Sequence, residues 1–296
     1  MMKRIGFYLM KWWVDSQSVL PYWLLYLKSD AYYLLVYHVV RYRRKVVRQN
    51  LLRSFPEKDA RSIKAIEKHF YRNLCDLVVE GPKMMRMGPN GYRARLTFVN
   101  TDLIAQLEEK HKNIFFAIPH SGNWEWFGKM IPELSHNQVL AIYKKVKNPV
   151  FERLMLYMRT KGCNLEMVES NSVLRRLAQL RDRQTAVLMM ADQTSHGLAS
   201  DYWTEFLHQD TCWFTGIERI AKKLDYAIVF VSMTRQGRGR YQVGFDLVAD
   251  NPKEMGDGEI MERYVRCVEH FIQNNPDNWL WSHRRWKHQR PDTVKA

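Results

Sequence analysis

Seven short apolar runs, separated by helical stretches, dominate the chain from about residue 93 onward. Runs of this length predict buried strands, and the stretches between most of them have helical spacing. Because strands and helices alternate in this way, the sequence predicts an α/β fold whose mostly parallel central sheet is flanked by helices. The strands are predicted at 96–99, 114–118, 139–143, 165–168, 186–191, 227–233 and 241–247, and helices at 149–161, 172–182, 214–224 and 258–274.

The first 80 residues have a different pattern, with helical signals only. A long helix is predicted at 31–53, a break at 54–56 and a second helix at 57–80 that ends before Gly81-Pro82. A length of 296 residues allows one large domain with an extension. We therefore predict an N-terminal helical, membrane-associating segment at 1–56 and a domain at 57–296.

The N-terminal segment combines aromatic, apolar stretches with a basic cluster. The stretches at 5–14 and 19–40 contain Lys11, Lys28 and Asp30, so no charge-free run reaches the roughly 18–20 residues that span a bilayer. Two short helices lying in the membrane interface fit better. Residues 1–60 hold 11 Lys and Arg against 4 Asp and Glu, which favours a cytoplasmic-face anchor on anionic lipid. An ordinary solvated basic helix is the alternative.

The net charge indicates which partners this chain can bind, and the cysteines indicate which sites it can form. The formal net charge of +15 favours anionic surfaces such as lipid headgroups, nucleic acid or an acidic carrier protein. The four cysteines are widely spaced and form no CxxC pair, which predicts neither a zinc site nor a disulfide framework. We expect a reducing compartment, with no metal and no cofactor.

A histidine and a glutamate stand five positions apart directly after one predicted strand. Pro119 ends the strand at 114–118, Gly122 permits a turn, and a helix is predicted to begin near Asn123. Glu125 would accept a hydrogen bond from one ring nitrogen of His120, which leaves the other nitrogen to take a proton from a substrate hydroxyl. The pattern is short, and a core histidine near a helix-capping glutamate is the competing interpretation.

Polar side chains follow two further predicted strands. Lys144 and Lys145 follow the strand at 139–143, and Asp192 follows the strand at 186–191. Ligands of parallel sheets bind beyond the carboxyl ends of the strands, so we expect one active-site face there. Asn148 is a natural N-cap before Pro149, and the lysines ahead of it suit a phosphate or carboxylate, or form a solvated loop. Asp192 suits a base-orienting, headgroup-binding or turn-capping role.

Four segments in order resemble one known group of enzymes, the lysophospholipid acyltransferase superfamily. Within it, the late acyltransferases of bacterial lipid A biosynthesis, the lauroyl/myristoyl branch, are the most similar. The resemblance covers about residues 5–292. Residues 119–125 resemble the H-x4-D/E block, 143–149 the Tyr-Arg-x-x-x-Asn-Pro block, 191–193 the Pro-Asp-x block and 280–287 the basic and aromatic W-x-H-R-R-[FW]-K block.

The resemblance implies a membrane-associated O-acyltransferase. It would move a fatty acyl chain from acyl carrier protein, or from acyl-coenzyme A, to a hydroxyl of a lipid A precursor or lysolipid. His120 would be the general base with Glu125 as its partner, and 57–296 the catalytic domain. Substrate-binding residues would be Asn123, Lys144, Asn148, Asp192, Arg284 and Arg285. Lys144 replaces the usual arginine and loses its bidentate fork.

The implied location is the cytoplasmic face of a bacterial inner membrane, reached peripherally or through a single N-terminal anchor, with no nucleic-acid partner. Two other functions compete with acyl transfer. A lipid hydrolase or thioesterase would use the same pair with water as acceptor. A non-catalytic protein that binds anionic membranes or nucleic acid would need only the basic surface.

Overall fold

The computed structural model describes residues 2–193 and 202–290, with side chains from residue 4. Its centre is a seven-stranded sheet in the order β1-β9-β8-β2-β5-β3-β4, and only the β8–β9 pair is antiparallel. The predicted α/β fold and all seven predicted strands are confirmed. The sheet strands are β1 (Leu96–Val99), β2 (Asn113–Ile118), β3 (Gln138–Tyr143), β4 (Leu165–Glu169), β5 (Thr185–Met190), β8 (Tyr226–Gly237) and β9 (Arg240–Ala249).

A separate two-stranded ribbon, β6 (Tyr202–Phe206) and β7 (Gln209–Trp213), was not predicted. Its strands carry polar residues such as Glu205 and Asp210, so they lack the continuous apolar runs of the buried strands. Ribbons of this kind are held by cross-strand pairing and by packing on one face. A search for continuous apolar runs therefore does not detect them.

Helices cover both faces of the sheet and form the whole N-terminal region. They are α1 (Met2–Val19), α2 (Tyr22–Tyr33), α3 (Arg44–Ser54), α4 (Ala60–Glu80), α5 (Pro89–Arg93), α6 (Asp102–Glu109), α7 (Trp124–Leu134), α8 (Pro149–Thr160), α9 (Val173–Gln179), α10 (Gly216–Leu224) and α11 (Glu259–Asn274). A π-helix spans Leu34–Val39, and short 3₁₀ turns span Gly81–Met85, Ser170–Ser172 and Pro252–Glu254. Among the described residues, every helix is too short or too polar to cross a bilayer.

The single long helix predicted at 31–53 is wrong. Helix α2 passes into the π-helix, and α3 begins only at Arg44. Between them Arg41 and Arg43 adopt positive φ angles of 53° and 50°, which an α-helix does not tolerate. The turn lets Arg43 Nη1 donate a hydrogen bond to the carbonyl of Ser282, 2.9 Å away. The break is therefore accompanied by a contact between residues 239 positions apart, which local periodicity does not reveal.

Strand β2 lies at the centre of the sheet and is buried on both faces. Phe115 and Ala117 point into a core formed with α10 and α11, while Ile114, Phe116 and Ile118 point into a second core formed with α6 and α7. Alternation of side chains along a strand produces this division. The strand is thus held rigidly, and the residues that follow it have a fixed starting point.

The C-terminal segment after α11 has little regular structure and is held by the N-terminal helices. Asn50 of α3 is buried, and its side-chain amide donates hydrogen bonds to the carbonyls of Trp281 and His283, each at 3.0 Å. Together with the bond from Arg43, these contacts tie residues 281–283 to α3 and to the turn before it. Backbone carbonyls in the interior need such partners.

Replacing Asn50 with alanine should lower the free energy of unfolding by about 2 kcal/mol. The carbonyl of Trp281 loses its side-chain donor, and the carbonyl of His283 keeps only the N–H of Arg285. Urea unfolding followed by tryptophan fluorescence measures this change. Gln49→Ala, at an exposed position one residue earlier, is the control and should change stability by less than about 0.5 kcal/mol. Equal effects of the two substitutions would contradict the assigned role of Asn50.

Candidate active site

The carboxyl ends of β2 and β5 bring a histidine and an aspartate together. The two strands are parallel neighbours, and Ile118 pairs with Met190. His120 and Asp192 each lie two residues beyond that pair, so the register places them side by side. The Nδ1 atom of His120 is 2.6 Å from Oδ1 of Asp192, and the backbone N–H of His120 donates to Oδ2 at 2.8 Å. The carboxylate therefore fixes both the ring and the main chain of His120.

Asp192 is almost completely buried, with 1% of its surface exposed. A third donor reaches it, because Nε1 of Trp279 donates to Oδ2 at 2.8 Å. Burial alone raises the pKa of this carboxyl, but the charge of His120 and the hydrogen bonds from His120 and Trp279 outweigh it, so the pKa lies below its usual value. Asp192 is thus ionised at neutral pH and acts only as an acceptor.

The tautomer of His120 follows from its neighbours. Because the Asp192 carboxylate only accepts, Nδ1 of the neutral ring carries the proton and Nε2 holds the free lone pair. Nε2 faces the side-chain amide of Gln193, whose nitrogen lies 3.1 Å away and can donate to it. The side chain of His120 is 17% exposed, so Nε2 is within reach of a substrate. This is the arrangement of a general base oriented by a carboxylate.

The turn between His120 and α7 is tightly constrained. Gly122 has φ of +55°, and a Cβ atom there would lie 2.9 Å from the carbonyl oxygen of Met233. Its N–H donates to the carbonyl of Asn278 at 3.3 Å, and the neighbouring Ser121 forms a β-bridge with Trp279. Only glycine fits this conformation and this space without strain.

Asn123 caps α7 and is fully buried, so it lies inside the protein and away from the surface of the cleft. Its Oδ1 accepts from the N–H of Trp126 at 3.2 Å, and its Nδ2 donates to Glu80 at 2.8 Å. The geometry gives Asn123 a positioning function at the start of α7, which differs from the substrate contact that the sequence suggested.

The predicted hydrogen bond between His120 and Glu125 is wrong, since His120 pairs with Asp192. Glu125 instead forms a bidentate ion pair with Arg159 of α8, with Nε–Oε2 at 2.8 Å and Nη2–Oε1 at 2.5 Å. The ring of Trp124, whose centroid is 5.2 Å from that of His120, lies on the histidine side. Glu125 occupies the next helical position and therefore points toward α8.

Two clefts meet at Trp124. The first, which contains His120, is also lined by side chains of α4 and of the C-terminal segment: Phe70, Asn73, Leu74, Leu77, Asp277, Asn278, Trp279 and Leu280. The second lies between α7, α8 and the sheet and holds the Glu125–Arg159 pair among mainly apolar neighbours: Gly128, Ala141, Ile142, Leu165, Met167, Leu188 and Met190. The apolar lining of the second cleft suits a hydrocarbon chain, although the cleft itself encloses only about 30 Å³.

The remaining predicted residues divide between surface and interior. Lys144 and Asn148 are exposed on the loop before α8, and Asn148 caps that helix by accepting from the N–H groups of Val150 and Phe151. Arg284 is exposed as well. Arg285 is buried with its guanidinium 4.4 Å from the ring centre of Trp213, and burial lowers its pKa to about 10. Arg285 thus supports the C-terminal segment from inside.

Three residues of the site were not assigned from the sequence. Gln193 faces the proton-accepting nitrogen, Trp279 donates to Asp192, and Arg159 pairs with Glu125. Gln193 and Trp279 stand inside or beside the quoted blocks, so those blocks gave a usable signal. No such signal marks Arg159, because it is one of several charged residues on α8.

Within residues 2–193 and 202–290, no group of three or more His, Cys, Asp or Glu side chains is arranged to hold a metal ion. All four cysteines are free thiols. Thr194, which follows the Asp192-Gln193 pair, lies outside the described residues.

His283, close to this site, makes a pH-dependent contribution to stability. Burial lowers its pKa from 6.5 to about 4. The unfolded chain therefore binds more protons between pH 6.5 and 4. The free energy of unfolding falls as the pH drops through that window, by roughly 1–2 kcal/mol after allowance for partial exposure.

In urea unfolding at several pH values, His283→Asn should flatten this dependence. His136→Asn, at an exposed histidine, should leave it unchanged, and an unchanged slope in His283→Asn would contradict the assignment.

Comparison with known proteins identifies one family. The family model described as bacterial lipid A biosynthesis acyltransferase matches residues 2–288, nearly the whole chain. A search of curated proteins finds no significant match.

Proposed function

Because the chain belongs to the bacterial lipid A biosynthesis acyltransferase family and is therefore an acyltransferase, we propose that it transfers a fatty acyl chain from a thioester to a lipid hydroxyl with His120 as general base. The observation that carries this proposal is the 2.6 Å contact between His120 Nδ1 and the buried carboxylate of Asp192. In the neutral ring this contact places the proton on Nδ1, so that Nε2, at the edge of a cleft, holds the lone pair.

In the proposed reaction, the acceptor hydroxyl displaces the Gln193 amide from Nε2 of His120. As the hydroxyl oxygen attacks the thioester carbonyl carbon, its proton passes to Nε2 and the carbonyl electrons move onto oxygen. Asp192 stabilises the imidazolium that forms. The tetrahedral intermediate then re-forms the carbonyl, the C–S bond breaks, and the leaving sulfur takes the proton from Nε2. The acceptor replaces the serine of a protease, so no enzyme nucleophile is required.

The ion pair between Glu125 and Arg159 acts as a positioning element in this proposal. It joins the first turn of α7, which follows the His120 turn, to α8. A bidentate pair holds that geometry more firmly than a single contact would. Trp124 lies between this pair and His120, so a shift of α7 would move the ring that packs against the base.

The donor in this proposal is acyl carrier protein, with acyl-coenzyme A as the alternative, and the acceptor is a lipid A precursor or a lysolipid. Both donors are anionic, and the net charge of +15 attracts them over a distance. The exposed Lys144 and the turn at Arg41 to Arg43 belong to this positive surface.

We also propose that residues 1–56 attach the catalytic part, 57–296, to the cytoplasmic face of the bacterial inner membrane. Helices α1 and α2 leave large apolar side chains in solvent, and Trp12 is 70% exposed and Trp23 65%. Tryptophan at this exposure suits the headgroup region of a bilayer. The neighbouring arginines at 41, 43 and 44 add attraction to anionic lipid.

The test of catalysis uses acyl carrier protein loaded with C12–C16 chains, and acyl-coenzyme A, with lipid A precursors and lysolipids as acceptors. Mass spectrometry detects the new ester. His120→Ala should abolish transfer, and Asp192→Asn should lower kcat by about 10³–10⁴-fold, as expected when an imidazole loses the carboxylate that sets its tautomer. Glu125→Gln should cost less, about 10–100-fold, since it loosens α7 without touching His120.

Ser172→Ala is the control and should retain full activity. Ser172 lies on the short 3₁₀ turn before α9, and its side chain makes no capping hydrogen bond. A larger loss in Glu125→Gln than in Asp192→Asn would contradict the assigned roles. Free fatty acid as the sole product, still dependent on His120, would favour the hydrolase function over acyl transfer.

Removing the exposed tryptophans should weaken membrane binding. In vesicle sedimentation, the double substitution Trp12→Ser and Trp23→Ser should reduce partitioning onto vesicles with anionic lipid by at least about tenfold, because each ring contributes apolar area at the interface. The pair Val78→Ser and Leu174→Ser, also at exposed apolar positions but on α4 and α9, is the control. Equal effects of the two pairs would contradict attachment through α1 and α2.

A further inference from the structure

A third cavity, distinct from the two clefts at Trp124, adjoins the His120 cleft. Its volume of about 550 Å³ is typical of ligand sites. Its lining is polar throughout except for Gly237. The lining residues come from α2, α4, the β8–β9 turn and the C-terminal segment: Asp30, His69, Arg72, Asn73, Asp76, Arg235, Gln236, Gly237, Arg238, Asn275, Asp277 and Asn278. None of the sequence blocks that predicted the catalytic site includes these residues.

The cavity is continuous with the catalytic cleft. Asn73, Arg235, Asp277 and Asn278 line both. Asn278 also accepts a hydrogen bond from Gly122 in the turn that carries His120. His120 lines the cleft and not the cavity, so a molecule in the cavity reaches the base through the cleft that the two share.

The mouth of the cavity borders apolar surface. Asp30 lies on α2 on the same helical face as Trp23 and Leu27, which stand seven and three positions before it. Both apolar side chains are exposed, as is Leu34 just beyond α2. A lipid whose chains lie against this stripe would have its headgroup at the cavity.

The charges that line the cavity balance, with three arginines facing three aspartates. Asp76, which is fully buried, accepts from Arg235 at 2.5 Å and from Arg238 at 3.1 Å, and Arg238 also pairs with Asp30. Three carboxylates would repel a phosphate as strongly as the arginines attract it. A neutral group that both donates and accepts hydrogen bonds meets partners of both kinds here, including the amides of Asn73 and Gln236.

We infer that this cavity binds the headgroup of the lipid acceptor and that the headgroup is rich in hydroxyls. The inference rests on the proposed acyl transfer, because it places the attacking hydroxyl beside His120. The acceptor headgroup then lies on the Arg235 side of the His120 cleft, and the apolar cleft at Glu125 adjoins that cleft at Trp124.

Gly237 provides the test. Gly237 lines the cavity, its φ is not positive, and a Cβ atom built there meets no atom within 4 Å. A large side chain can therefore be added at this lining position without distorting the backbone. With a glucosamine-based lipid A precursor as acceptor, Gly237→Phe should lower acyl transfer at least about tenfold. Hydrolysis of the acyl donor without lipid acceptor, which needs His120 but not this cavity, should stay within about twofold of the wild-type rate.

Gly237→Ala adds little volume, and Gly88→Phe adds the same ring at an exposed turn where a Cβ also has open space. Both should transfer at the wild-type rate. Unchanged transfer by Gly237→Phe would overturn the inference. So would an equal loss of transfer and hydrolysis, because that result would locate the effect at the catalytic pair.

A binding measurement tests the inference even if the protein transfers no acyl group. Equilibrium dialysis compares three probes with one chain length, all below their micelle concentrations: octyl β-glucoside, octyl dimethylamine oxide and octyl phosphate. Wild type and Gly237→Ala should bind octyl β-glucoside most tightly, and Gly237→Phe should lose that preference. Equal binding of the three probes, or a preference for octyl phosphate that Gly237→Phe removes, would overturn a hydroxyl-rich ligand.

Discussion

The hydrogen bond between His120 and the buried carboxylate of Asp192 is the interaction around which the rest of the structure is arranged. It exists because β2 and β5 are parallel neighbours and both residues lie two positions past a register pair. Trp279 completes the environment of Asp192, so the C-terminal segment must return to the sheet. That segment is in turn held by Asn50 and Arg43 of the N-terminal region. The catalytic pair therefore depends on contacts from both ends of the chain.

Several buried carboxyl groups connect the helices of this protein to one another. Besides Asp192, the side chains of Glu67, Asp76 and Glu80 are completely buried. Glu67 pairs with Arg48 of α3, Asp76 accepts from Ser29 of α2 at 2.6 Å, and Glu80 accepts from Tyr26 at 3.1 Å. A buried carboxyl group is costly unless it is hydrogen-bonded, so each of these contacts fixes the position of a helix. Glu80 extends this chain of contacts to Asn123 and hence to the start of α7.

How much the sequence predicts depends on the range of the interaction. The seven sheet strands follow from local apolar runs, and parallel topology places His120 and Asp192 at one edge. Local spacing does not predict the helix break at Arg43 or the pairing of Glu125 with Arg159. Both involve residues that are distant in the chain. The spacing of His120 and Glu125 marks the turn correctly, yet the carboxylate that contacts the histidine comes from the neighbouring strand.

The most direct test of this account is the protonation of His120, observed by nitrogen-15 NMR of the histidine-labelled protein. For the neutral form of the ring, the account predicts that the proton is on Nδ1 and that its signal is shifted to low field by Asp192. That low-field signal should be lost in Asp192→Asn but not in Glu125→Gln. A proton on Nε2 instead, or a signal that survives Asp192→Asn and disappears in Glu125→Gln, would contradict the account.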